Sequence, residues 1–385
     1  MPAARFAHPP NTLNTDARDG PDCWETMPSI AANLVHRNLR IRPDDNVTVF
    51  SYPHTIELAE DIAAECFKVG ADVLLNLYTD RYYESYMTVM SEEALRKPSV
   101  FCRGLTELSS AEFWLGALYD PAVYRKIPAA KLAANDEGET IAHEPARSRK
   151  VRSLFVALGQ VTRPRAKAYG FNFPAWERMI RTASAVSPEK LAADGKRVAA
   201  ALESAGDVHI RANGTDLTLS VQGRRAQVYD GIVDDADIAA GTLDASVPSG
   251  QVNIAPLETS GSGAVRFTVP QAWAGRTIRR LEWTFEDGRV ASWTGDAVAG
   301  RLRQVWEKGA GDKDRIAGLG IGLNPRAEIG FLQNELARGA VTIAIGGNEA
   351  LGGVNKPGYY HQQPLRDATV EVDGRAIVKD GRIVA

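Results

Sequence analysis

The stretch Asp45–Tyr78, DNVTVFSYPHTIELAEDIAAECFKVGADVLLNLY, decides the class of the first half of the chain. Val47 to Tyr52 is rich in β-branched and aromatic residues and predicts a buried strand. Thr55 then precedes a run in which Ile56, Ala59, Ile62, Ala63, Cys66 and Phe67 share one helical face. Gly70 stops that helix, because glycine accepts the left-handed conformation that ends helices. Val73 to Tyr78 is a second strand. Strand, helix and strand within so short a span imply a parallel, right-handed crossover.

Working outward, residues 1–24 carry Pro, Asn, Asp and Ala without periodicity and read as a mobile N-terminal lead. A first helix is expected from Pro28 to about Asn38. Segments at Val100–Arg103, Ala111–Ala117 and Leu154–Leu158 continue the α/β layer. Ser187-Pro188-Glu189 opens a further helix, through Leu191, Val198 and Leu202 to Gly206. The texture then changes to short strands and tight turns, with hairpin dipeptides at Asn213-Gly214, Asp287-Gly288, Asp373-Gly374 and Asp380-Gly381. One helix, about Gly300 to Lys308, interrupts them. The expectation is an α/β chain: an N-terminal α/β domain over 25–205 with parallel units, then a C-terminal α+β domain over 206–385 with a mostly antiparallel sheet.

The bulk properties narrow the function. A chain of 385 residues with 44% hydrophobic and 24% charged residues suits a globular two-domain protein. A formal net charge of −3 offers no basic field for a phosphate backbone, so no nucleic-acid partner is expected. No apolar run is long enough to cross a bilayer, and the first residues lack the apolar core of a secretory signal. Cys23, Cys66 and Cys102 have neither metal nor redox spacing and read as free thiols, which makes a cytoplasmic address the expectation.

Four ordered segments of the second half resemble the aminopeptidase T-like metallopeptidases. They are NGTDLTLSVQGR (Asn213–Arg224), SVPSGQVNIAPLETSGSG (Ser246–Gly263), AGLGIGLNPRA (Ala317–Ala327) and GAVTIAIGGNEALGG (Gly339–Gly353). That resemblance implies a two-domain, homodimeric exopeptidase dependent on zinc or cobalt. GLNPRA (Gly322–Ala327) and HQQPLRD (His361–Asp367) also resemble the dihydroxypyridine ring-cleaving dioxygenases, a related branch that uses one ferrous ion.

The departures fall on the implied ligands. Where the peptidase pattern places carboxylates and histidines, this chain has Gln251, Gly318, Thr342 and Gln363, and only His361 survives. On the dioxygenase pattern the first histidine falls on Gly318, and the aspartate falls on Gln362 or Gln363. A divalent ion needs several anionic or imidazole donors. The resemblance therefore argues against a dinuclear zinc or cobalt centre and leaves a single iron open.

His361, in the Gly/Pro-bounded loop NKPGYYHQQP, is the first candidate for acid–base chemistry, because imidazole titrates near neutral pH. Tyr360 (with Tyr359 beside it) could donate a proton, and Glu258 could act as a base or brace its loop. Gln251, Asn348, Glu349, Lys356 and Gln363 are candidate substrate contacts. The expected function is a divergent hydrolase of a small polar substrate such as an amide or lactam. The alternatives are a ring-cleaving enzyme and a non-catalytic binding or assembly protein.

Overall fold

The β-branched run at Asn46–Ser51 forms a strand with five of its six residues buried, pinned at its start by Asp45. Asp45 pairs with the buried Arg152 at 2.5 Å, and Arg152 also donates to the carbonyl of Leu39 at 2.6 Å. These contacts come from a computed structural model that describes residues 30–385. The lead over 1–24, Cys23 and the expected helix start at Pro28 lie outside the described residues.

The crossover is present: helix Ile56–Val69 ends at Gly70 with φ of 97°, and strand Asp72–Leu77 pairs parallel to Asn46–Ser51. Ala111–Trp114 and Arg152–Val156 extend the sheet on the other side, all parallel. Its fifth strand is Asp244–Val247, which comes from beyond the expected boundary at 205 and pairs with Arg152–Val156. The chain thus returns to the first sheet after beginning the second half. Helices Ile56–Val69 and Phe173–Ser184 contribute Leu58, Ile62, Trp176 and Ile180 to the core of this layer, each buried. Burying such side chains contributes about 1.5–3 kcal/mol apiece.

The second half holds two further large sheets. One is antiparallel and eight-stranded, and the four hairpin dipeptides join strands within it. Asp287, Asp373 and Asp380, like the glycines that follow them, have positive φ, as a two-residue turn of matching twist requires. The other sheet has five strands in the order Tyr360–Leu365, Val341–Gly346, Ile316–Gly322, Gln251–Ile254, Ala226–Tyr229, each pair antiparallel. Helices Pro188–Glu203 and Ala297–Lys308 share one apolar core with both sheets. The segment expected as a loop around His361 is in fact the edge strand Tyr360–Leu365. No described helix is long and apolar enough to cross a membrane.

Candidate functional site

The five-stranded sheet has two unlike faces, and register decides which residue stands on which. Directly paired residues in an antiparallel sheet share a face, and neighbours along a strand alternate. Val252, Ile254, Leu319, Ile321, Val341, Ile343, Ile345 and Leu365 fill the apolar core. The opposite face carries Gln227, Tyr229, Gln251, Asn253, Gly318, Gly320, Thr342, Ala344, Tyr360 and Gln362, linked by the pairs Gly320–Asn253, Gly320–Thr342 and Ala344–Gln362. This second face is a floor of amides, hydroxyls and bare glycines.

The floor is short of partners. Asn253 donates to Gln251 Oε1 at 3.3 Å, yet Gln251 Nε2 and Thr342 Oγ1, both buried, have no hydrogen-bond partner among the described groups. A buried polar atom left in that state costs free energy unless something completes it. Gly320 leaves the room these side chains use: a Cβ there would stand 2.5 Å from Gln251 Nε2 and 2.6 Å from Asn253 Oδ1. At the two edges, Tyr229 donates to Gln227 Oε1 at 2.6 Å and Tyr360 donates to Gln362 Oε1 at 3.0 Å.

Burial also shifts titratable groups around this face. Burial raises the Tyr229 phenol, and Asp244 and Tyr360 add to the shift while Arg147 opposes it. Tyr229 and Tyr360 stand on the two opposite edge strands of this sheet, and Asp244 of the first sheet acts electrostatically on Tyr229. Burial lifts the Asp244 carboxyl above the usual carboxylate range, against the Arg147 guanidinium, although its side chain is exposed in the strand pattern. Glu335 is raised by burial as well and acts on Tyr360.

The residues singled out from sequence separate. Gln251 and Tyr360 lie on the polar face. His361 pairs with Ile345 and Gln363 with Ile343, which turns both toward the core and away from Thr342. There the His361 ring meets Trp283 edge-on at 6.0 Å, its Nε2 is buried without a partner, and burial lowers its pKa to about 4. Gln363 Oε1 is likewise buried and unpartnered.

Glu258 braces a loop. Its carboxylate takes the Arg224 guanidinium on one oxygen, and Asn348 Nδ2 at 3.1 Å with the Val354 N–H at 2.8 Å on the other. Burial alone would raise its pKa, but the Val354 N–H, Asn348 and Arg224 together hold it below the ordinary value. Asn348 is buried in the same bracing network and also accepts from the Asn355 N–H at 2.8 Å. Glu349 is exposed beside Arg103, Arg147 and Arg149, and Lys356 is exposed with its N–H bonded to Asp312 at 2.8 Å.

The braced loop reaches the floor. Gln227 donates to the Ala350 carbonyl at 2.7 Å, and Leu351 Cδ1 stands 3.2 Å from where a Gly318 Cβ would be. A methyl group thus covers the place where the resemblance puts a metal-binding side chain. Among the described residues no three His, Cys, Asp or Glu side chains converge. The donors do not fit a two-metal centre, nor the two histidines and one carboxylate of a ferrous site.

Residues 25–313 match the model of the thermophilic metalloprotease (M29) family. The chain belongs to that family. No curated protein matches it. Among solved structures, this M29 chain is similar to wild-type AmpT from Thermus thermophilus, with 17% identity, a TM-score of 0.64, and coverage of 92% of this chain and 98% of that one. It is also similar to 2,5-dihydroxypyridine dioxygenase from Pseudomonas putida KT2440, with 17% identity, a TM-score of 0.58, and coverage of 90% and 93%. At these identities the likeness shows a shared fold. This M29 chain carries a neutral floor where the resemblance implies metal-binding side chains.

Sequence reading missed Tyr229, Gln227, Asn253, Glu335 and Asp244. A signal for the first three was present. AQVY and QVNI place polar residues two apart (Gln227 with Tyr229, Gln251 with Asn253), the spacing of one strand face.

Proposed function

We propose that this M29 chain binds a small polar molecule of amide, lactam or N-heterocycle type in the cleft, through neutral hydrogen bonds rather than a two-metal centre. One observation carries the reading: Gln251 Nε2 and Thr342 Oγ1 lie buried and unpartnered on either side of the bare strand Ile316–Gly322. An amide donor and a hydroxyl complement a carbonyl or ring nitrogen, and a ligand supplying that acceptor removes the cost of both orphans.

The test is calorimetry and thermal shift against a panel of amides, lactams and pyridine-type heterocycles, with and without chelator. Binding that survives chelation, and that Gln251→Leu and Thr342→Val each weaken, supports the reading. Binding that needs an added divalent cation sinks it.

A second reading, hydrolysis of the bound amide, follows from family membership and from Glu335. Burial raises that carboxyl and it acts electrostatically on Tyr360, which supports a role in moving a proton. Turnover in the wild type that Glu335→Gln abolishes, with ligand binding retained, would separate catalysis from binding alone. A cytoplasmic address belongs to the same proposal and is supported by the free thiols of Cys66 and Cys102.

A further inference from the structure

Helix Val100–Leu108, helix Pro145–Arg149 and the turn Glu349–Leu351 line a cavity of about 700 Å³, a size that suits a small molecule. Its charged side chains are Arg103, Glu107, Glu144, Arg147, Arg149 and Glu349. They are not evenly matched. Arg103 meets Glu107 at 3.1 Å and Glu144 at 3.6 Å, which engages both of those carboxylates. Arg147 and Arg149 form no ion pair among the described residues, so two guanidiniums stand against Glu349 alone.

Two walls of this cavity run on to the polar floor. Next to Glu349, the Ala350 carbonyl takes the Gln227 amide at 2.7 Å, and Leu351 covers Gly318. In register, Gln227 stands opposite Asn253 and Tyr229 opposite Gln251. On the other wall, Arg147 Nη2 lies 3.8 Å from where a Gly241 Cβ would be, in the turn that leads into strand Asp244–Val247. Burial raises the Asp244 carboxyl and the Tyr229 phenol, and the Arg147 guanidinium opposes both shifts. Tyr229 is thus within the field of Arg147 and in register with Gln251, whose Nε2 has no partner.

Resting on the floor reading above, we propose that the ligand carries a carboxylate, held in this cavity by Arg147 with Arg149 beside it, while its amide or ring acceptor meets Gln251 and Thr342. The ligand class narrows to the carboxylated members of the amides, lactams and N-heterocycles. A guanidinium matches a carboxylate with two parallel N–H donors. The floor holds no charge of its own, so its amides and hydroxyl orient the ring and the arginines select the anion. Both arginines are exposed, which keeps the gain modest, about fivefold in affinity. Glu349 opposes it, and a cationic ligand would meet two guanidiniums instead.

The experiment is calorimetry on the full-length chain with pyrrolidin-2-one-5-carboxylate, its methyl ester and the 5-aminomethyl analogue, and with pyridine-3-carboxylate and its methyl ester. Each acid is expected to bind about fivefold tighter than its ester. That margin should shrink as ionic strength rises from about 0.05 M to about 0.5 M. Arg147→Gln should bring the acid down to the level of the ester, and Glu349→Gln should widen the margin. Gln251→Leu should weaken acid and ester alike, since both keep the ring acceptor. Acid and ester binding equally, with Gln251→Leu still weakening both, would overturn the anion site and leave the floor reading standing. A margin that survives Arg147→Gln combined with Arg149→Gln, or acid binding indifferent to Gln251→Leu, would also overturn it. So would an aminomethyl analogue that outbinds the ester, because Glu349 would then set the preference. If neither acid nor ester binds, the anion site and the floor reading fall together.

Discussion

Leu351 covers Gly318: its Cδ1 stands 3.2 Å from the position a Cβ on that glycine would take. The resemblance puts a metal-binding side chain at this point, so restoring one meets a methyl group as well as an incomplete donor set. Gly318→Glu is expected to lower stability by about 1–3 kcal/mol through overpacking. It should leave zinc and cobalt affinity undetectable by calorimetry. Adding Leu351→Ala should recover part of the stability, and tight metal binding by either variant would contradict the fit drawn here.

Thr342 predicts a trade between stability and binding. Its hydroxyl is buried without a partner, so Thr342→Val removes an unsatisfied group at nearly constant volume. The unliganded variant should unfold at equal or higher urea concentration, by up to about 1 kcal/mol. Its affinity for any cleft ligand should fall. A loss of stability as large as that of an ordinary core deletion would show that the hydroxyl has a partner after all.

His361 should shape the acid limb of stability rather than the chemistry. Burial holds its folded pKa at about 4, below the 6.5 of an exposed histidine. Between those values the unfolded chain binds the proton that the folded chain refuses, so stability rises with pH across the window. Its contribution is complete above about pH 6.5 and is lost as pH falls toward 4. Urea unfolding from pH 4 to 7 should show a shallower acid limb for His361→Phe than for the wild type. Ligand binding at pH 7 should be unchanged in that variant, and an abolished interaction would return His361 to the site.

The Arg224–Glu258 pair should hold the loop over the floor. Its side chains are 16% and 9% exposed, so removing one partner strands the other. Glu258→Ala is expected to cost about 3–5 kcal/mol. Hydrogen exchange should quicken across 347–358, the segment whose Asn348 and Val354 bond to that carboxylate. A denaturation midpoint unchanged by the substitution would remove the bracing role.

The crossover was legible because periodicity and punctuation agree there: Gly70 ends the helix in the left-handed conformation, and β-branched runs flank it. The hairpins were legible for the same local reason. The site was only partly so. Gln251, Gly318 and Thr342 were found by position in a pattern, and register brings them onto one face. His361 was paired with Tyr360 as though the segment were a loop, but in the strand Tyr360–Leu365 adjacent residues must point opposite ways. The spacing of two between Tyr360 and Gln362 held that information. Glu335 and Asp244 could not have been read, because they act on Tyr360 and Tyr229 from segments distant in sequence.

Strand Asp244–Val247 completes the first sheet beside Arg152–Val156, although some forty residues of the second half have already been laid down before it. During synthesis the N-terminal layer therefore lacks one border until the ribosome has delivered that strand. Its nascent form bears an unpaired side at Arg152–Val156 for that interval, an opening for chaperones or misassembly. A gene fragment stopped at residue 205 would carry this defect permanently, so the two halves should mature together and not in succession.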